Sequence, residues 1–273
     1  MIELTTEQWV LGLFGAFLIG LAKGGLPGVG NLTVGIYAVL FPARASVGIL
    51  LPILIMGDIV AVIVYRRHAR WKTILKLMPW TAFGVILGWL LFGHVSDRQI
   101  QVLIGGLLLF MTGLHFLRQA LLRREQDRPS STSEYEQPES KSILHPIVAP
   151  VAGVLVGFST MIANAAGPVS ALYFLASGFA KYGFIGTSAW FFFCVNLFKI
   201  PFMVDQQVLS FDSLQVSLVL GPAAIAGGLI APLLVKHINQ KWFGGLIWFF
   251  IVVAGIGLLV RPDWPTLLFR YVS

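Results

Sequence analysis

The sequence predicts an all-α polytopic membrane protein made of two inverted repeats. Each repeat is a broken-helix hairpin plus three transmembrane helices, about ten helical segments in all. Three observations predict this: the scarcity of charge, the spacing of apolar runs, and landmarks that recur between the two halves.

Of 273 residues, 57% are hydrophobic and 11% are charged, against roughly a quarter charged in a typical soluble domain. So few charges cannot cover the surface of a soluble fold. The formal charge of +7 comes from 19 Lys and Arg against 12 acids. The bases sit in short clusters between apolar runs, so they read as topology signals and not as a nucleic-acid surface. Cys194 lies alone within Phe191-Phe-Phe-Cys-Val195, where a thiol acts as a small hydrophobe, and no disulfide framework or Cys-based metal site can be assembled. Glu3 and Glu7 precede the first apolar run. A secretory leader opens on Lys or Arg instead, so residues 1–22 are expected to be mature structure.

A helical crossing needs about 20 residues. Segments 45–65, 72–93, 99–121, 183–203, 213–235 and 242–260 meet that length. Stretches 7–41 and 145–176 are too long for one crossing, and each is broken near its middle. The first break reads Gly20-Leu-Ala-Lys-Gly-Gly-Leu-Pro-Gly-Val-Gly-Asn31, the second Gly157-Phe-Ser-Thr-Met-Ile-Ala-Asn-Ala-Ala-Gly-Pro168. Inside a helix Gly costs about 1 kcal/mol and Pro about 3 kcal/mol. A helix over Thr6–Ala22 and another over Val29–Phe41 are expected, folded as a hairpin that dips into the membrane. Between the halves, residues 123–144 form a polar linker that buries too little apolar area to order itself. The chain therefore divides into a first membrane repeat (1–122), the linker, and a second repeat (145–273).

Gly48 and Asp58 align with Gly186 and Asn196 at an offset of 138 (186 − 48, 196 − 58), and Pro79, Gly84 and His94 align with Pro222, Gly227 and His237 at 143 (222 − 79, 227 − 84, 237 − 94). Frequent Gly and Pro in membrane helices supply single matches of this kind, but not readily two runs of them. If each broken segment returns to its own side, a half holds three crossings and the second half is inverted. That arrangement places 13 Lys and Arg, from Arg66 to Lys241, on the cytoplasmic side and leaves Arg44, Arg98, Arg261 and Arg270 outside. A parallel duplication divides them 12 to 5, so charge barely separates the two and segment length favours inversion. The termini are then outside and the linker cytoplasmic, in the inner membrane of the cell.

Polar groups at membrane depth are costly, which makes them functional pointers. Lys23 stands at the first break among Gly24, Gly25 and Gly28, with Asn31 just beyond. Bare glycines let a ligand approach the backbone, and a helix restarting near Val29 turns unpaired N–H groups toward the break. With the Lys23 ammonium this forms an anion cradle. The same glycines also suit turn geometry and close packing, and both asparagines suit helix caps. Thr160, Asn164 and Gly167 offer the matching set at the second break, with Asn196 and Lys199 on the next helix. Lys199 lies toward the outer end of its helix, where a lysine snorkels readily. Asp58 lies midway along its helix, and an unpaired carboxylate there takes up a proton. It is a proton-coupling candidate, or else a partner that neutralises Lys23 or Lys199. Neither a metal site, a resident cofactor nor a clustered nucleophile set is expected, so the chain reads as a non-enzyme. Small-xxx-small pairs such as Gly84 with Gly88 suit helix packing and a homodimer.

The duplicated arrangement and the motifs Gly20-Leu-Ala-Lys-Gly-Gly-Leu-Pro-Gly28 and Gly157-Phe-Ser-Thr-Met-Ile-Ala-Asn-Ala-Ala-Gly-Pro168 resemble the TauE/SafE sulfite exporter family over most of the chain except the linker. The resemblance implies secondary export of small sulfur-containing anions, sulfite or organosulfonates such as sulfoacetate. Substrate and direction vary within the family. Met161, Ile162 and Asn164 stand where the family has a more regular run of small residues. An anion channel, an importer of a related oxyanion and a membrane-embedded enzyme remain as alternatives.

Overall fold

The computed structural model describes residues 4–26, 29–92, 147–177, 179 and 181–235, with scattered positions between 94 and 117 and between 252 and 260. Most of the expected spans 99–121 and 242–260, the linker 123–144, Gly28 and His237 lie outside the described residues.

Among the described residues the chain is helical, with no strand. Helix α1 (Thr6–Lys23) begins with a capping box, Thr5 accepting from the Gln8 backbone while the Gln8 side chain accepts from Thr5. After the break, α2 (Val29–Leu40) folds back along it. The Tyr37 hydroxyl donates to the Gly12 carbonyl at 2.9 Å and the Thr33 hydroxyl to that of Gly15 at 3.2 Å. The Gln8 amide closes the open end by donating to the Leu40 carbonyl at 3.5 Å. At 1.5 Å per residue α2 is about 18 Å long, short of the roughly 30 Å hydrocarbon core. Glycine and proline density thus located the interruption within a residue at each edge.

Helix α3 (Ala43–Tyr65) follows, then a 3₁₀ turn (Arg66–His68) and α4 (Trp71–Phe92). Past the linker, α5 (Val148–Ala163) and α6 (Gly167–Ala176) form the second interrupted pair. They lead into α7 (Lys181–Asp205) and α8 (Phe211–Val235). Among the described residues, four stretches are long and apolar enough to cross a membrane: Arg44–His68, Trp71–Phe92, Tyr182–Asp205 and Phe211–Leu234. They coincide with the four expected spans that fall on described residues. Leu75, Phe83, Phe211, Leu229 and Leu233 turn outward and are exposed. So large an apolar exterior is a liability in water and the proper surface against lipid.

Tight backbone contacts between the halves are made at glycine. A Cβ on Gly20 (α1) would collide with the Ala224 carbonyl and the Gly228 nitrogen of α8, and one on Gly157 (α5) with the Thr81 carbonyl and the Val85 nitrogen of α4. Gly157 lies 137 positions after Gly20 (157 − 20), and both of its partners lie 143 positions before those of Gly20 (224 − 81, 228 − 85). The reciprocal contacts obey the same offsets: Gly227 abuts the Phe17 carbonyl, and Gly84 that of Val154. Only glycine permits the backbones to come this close.

Helix directions follow from the order of the contacts. Along α1 and α8, Gly12 meets Leu220, Gly20 meets Ala224 and Gly24 meets Ala231, so the two run parallel. Helices α4 and α5 also run parallel, through Leu77 to Gly153, Thr81 to Gly157 and Gly88 to Met161. By contrast α3 and α7 run antiparallel. Gly48 abuts Val208, Asp58 meets Asn196, and Gly186 abuts Tyr65 and His68.

Candidate functional site

Two buried polar clusters flank the crossing of α3 and α7. In the first, Lys23 at the last turn of α1 places Nζ 2.7 Å from Oδ1 of Asp58 on α3. Gly57 makes room for this: a Cβ there would press on Lys23 Cγ at 3.2 Å. Asn196 on α7 donates from Nδ2 to the other carboxylate oxygen of Asp58 at 2.7 Å, an amide orientation assigned because only the donor suits a carboxylate. The ammonium also lies 4.5 Å from the centre of the Phe192 ring. Asp58 is fully buried, and Lys23 keeps 15% of its side-chain surface exposed.

In the second cluster Lys199 on α7 points at the end of α5. Its Nζ donates to the Thr160 carbonyl at 2.8 Å, the Thr160 hydroxyl at 3.1 Å and Asn164 Oδ1 at 2.5 Å. Asn164 adopts the left-handed conformation, φ 52°, as the residue that ends α5. Its amide Nδ2 donates to the Val47 carbonyl on α3 at 2.9 Å. One asparagine therefore terminates a helix, holds a lysine and fastens the second break to α3. Tyr65 fastens the first break, its hydroxyl donating to the Gly24 carbonyl at 2.9 Å. At each break a side chain thus pairs a backbone carbonyl inside the protein, that of Gly24 at the first and that of Thr160 at the second, as a bilayer requires.

Thr160 follows Lys23 by 137 positions (160 − 23), the offset that relates Gly157 to Gly20. The two ammonium groups therefore bridge corresponding helix pairs from opposite sides: Lys23 reaches from α1 to α3, and Lys199 from α7 to α5. Lys23, Asp58 and Lys199 lie within electrostatic range of one another.

The expected site residues meet this geometry unevenly. Lys23, Asp58 and Asn196 come together, as do Lys199, Thr160 and Asn164. Two expectations need correcting. Lys23 is not a bare cation at the break, because Asp58 neutralises it. Lys199 does not snorkel to the outer end of α7; it is completely buried, since Thr160 and Asn164 supply three oxygens inward. Gly24 is a contact glycine, a Cβ there colliding with that of Ala231, and Gly25 turns the chain at φ 117°. Gly167 opens α6 and is exposed, and Asn31 lies in the first turn of α2. Sequence reasoning missed the Val47 carbonyl, the Tyr65 hydroxyl and the Phe192 ring. A carbonyl has no signature in a sequence, and Phe192 sat in an aromatic run that read as packing.

A family model described as sulfite exporter TauE/SafE matches residues 12–258. The chain belongs to the TauE/SafE sulfite exporter family. The match spans both interrupted helices and both lysine clusters, so the resemblance carried by the two glycine-rich motifs extends to the helices around them. Comparison with curated proteins and with solved structures finds no match. Membership in TauE/SafE makes this a membrane-embedded protein of a transporter family.

Proposed function

We propose that this TauE/SafE protein is a secondary transporter that exports small sulfur-containing anions, sulfite or organosulfonates such as sulfoacetate, by alternating access. The single observation that carries the reading is Lys199: a fully buried ammonium held by neutral oxygens alone, while the neighbouring carboxylate is committed to Lys23. A charge in that setting is costly until an anion arrives to match it. A sulfonate or sulfite, once stripped of water, needs that match and finds further donors at the restarts of α2 and α6.

The architecture supports movement about this centre. We read residues 1–122 and 145–273 as two inverted repeats joined by the 123–144 linker. The support is that their matched helices α3 and α7 cross antiparallel and that their glycine contacts recur at fixed offsets. Exchange of conformations between two such halves opens a central site to either side in turn. The exposed Arg66, Arg67 and Arg70 beyond α3 fit a cytoplasmic face in the inner membrane, with termini outside. An inside-negative potential then favours anion expulsion by about 2.3 kcal/mol per charge per 100 mV, so proton coupling through Asp58 is not required. The sequence contains no phosphate-binding Walker loop to drive pumping.

The test is counterflow in proteoliposomes holding the purified full chain. Labelled sulfite should exchange faster against trans sulfite than against buffer, and Lys199→Met should abolish saturable exchange. A flux that trans substrate leaves unaccelerated identifies a channel. A folded protein that moves no sulfur anion, or a Lys199→Met variant with unchanged exchange, overturns the proposal.

A further inference from the structure

The buried charges impose a balance on whatever anion the centre accepts. Among the described residues, the charged side chains in the body of the bundle are Lys23, Asp58 and Lys199. The expected spans 99–121 and 242–260 contain no Asp or Glu, and their bases are Arg118 and His115, both near one end of the first. Asp58 cancels Lys23 through a 2.7 Å contact, and Lys199 keeps one positive charge against neutral oxygens. With Lys199 as an ammonium and Asp58 ionised, the centre carries a net charge of one, positive.

We infer that this TauE/SafE protein selects singly charged sulfur oxyanions, such as bisulfite or a monosulfonate, and that Asp58 is the residue setting that selectivity by holding one of two ammonium charges out of reach. The inference rests on the transporter reading and narrows it: bisulfite and monosulfonates stay within it, and sulfoacetate with both acids ionised falls outside. A monoanion beside Lys199 brings the buried region to neutrality. A dianion such as sulfate, or sulfoacetate with its carboxylate and sulfonate both ionised, leaves one negative charge uncompensated in a medium that solvates it poorly. Asp58 is placed to enforce this because both of its oxygens are engaged, Oδ1 by Lys23 and Oδ2 by Asn196. Without the carboxylate, Lys23 would join Lys199 and the net charge would rise to two. Asparagine at 58 keeps an oxygen for Lys23 and removes only the charge.

The experiment measures competition by methanesulfonate, sulfate and sulfoacetate against labelled sulfite exchange in proteoliposomes of the full chain. It is run on wild type, Asp58→Asn and Lys199→Gln. Methanesulfonate and sulfate differ by a methyl group in place of one oxygen, so charge is the main contrast. Wild type should favour methanesulfonate over sulfate by at least about tenfold, with sulfoacetate siding with sulfate. Asp58→Asn should cut that ratio by at least about tenfold or invert it. Lys199→Gln should abolish saturable exchange of the labelled sulfite itself. Equal competition by mono- and dianions in wild type overturns the inference, as does an unchanged ratio in folded Asp58→Asn. If Asp58→Asn yields no folded protein, the wild-type ranking decides alone. Wild type that exchanges no anion refutes the transporter reading itself, whereas exchange without charge discrimination refutes only this inference.

Discussion

Removing the carboxylate of Asp58 altogether should be among the most damaging single changes in the bundle. Asp58→Ala deletes the 2.7 Å ion pair with Lys23 and the 2.7 Å hydrogen bond from Asn196. It leaves an ammonium and an amide donor facing a methyl group. Breaking one partner out of a buried pair costs about 3–5 kcal/mol. Lys23 retains 15% exposure and rests against the Phe192 ring, so part of its charge stays solvated and the lower end of that range, about 3 kcal/mol, applies. Removing both charges should cost less than removing one. The double variant Lys23→Met with Asp58→Ala is therefore expected to recover about 1–3 kcal/mol relative to Asp58→Ala alone, the size of coupling found for residues in direct contact. Reversible unfolding of the four proteins of this cycle in mixed micelles measures both quantities. A coupling energy below about 0.5 kcal/mol, within the additivity expected of independent sites, would refute the claim that Asp58 and Lys23 form the pair that stabilises this crossing.

Two further outcomes follow from the contacts. Gly157→Leu should prevent α5 from seating on α4, because even a Cβ there collides with the Thr81 carbonyl; a loss of more than about 3 kcal/mol or failure to fold is expected, while Ala152→Gly on the same helix should stay within about 2 kcal/mol of wild type, both read by the same unfolding assay. Asn164→Gly should keep the left-handed turn that ends α5 while deleting the bonds to Lys199 and Val47; a stability cost of about 1–3 kcal/mol together with lost sulfite counterflow is expected, and intact counterflow would remove Asn164 from the site.

Much of this architecture is legible in the sequence. Helix interruption is a local property: Gly and Pro act on the residues that carry them, so Lys23 and Val29 could be placed at the edges of the first break from composition alone. Span length is equally local, since every backbone group in lipid must be paired within its own helix. The offsets of 138 and 143 were visible as matched glycines and prolines, and the same glycines proved to be the points where helix backbones touch. Lys23, Asp58, Thr160, Asn164, Asn196 and Lys199 stood out because polar groups at membrane depth are rare and costly.

By itself the sequence determined that the chain spans a membrane, where its helices break, and which few polar residues lie among them. It could not decide which lysine takes Asp58, nor that Lys199 turns inward, because in a membrane helix nearly every face is apolar and the periodicity that marks an inward face in water is absent. Those facts belong to the tertiary structure. The approach of α1 to α3 at Gly57 carries Lys23 to the carboxylate, and the left-handed turn at Asn164 aims an amide at both Lys199 and Val47. Charges 35 positions apart, Lys23 and Asp58 (58 − 23), meet only because two helices approach at a glycine, and such an approach is a property of pairs of helices that no single segment encodes.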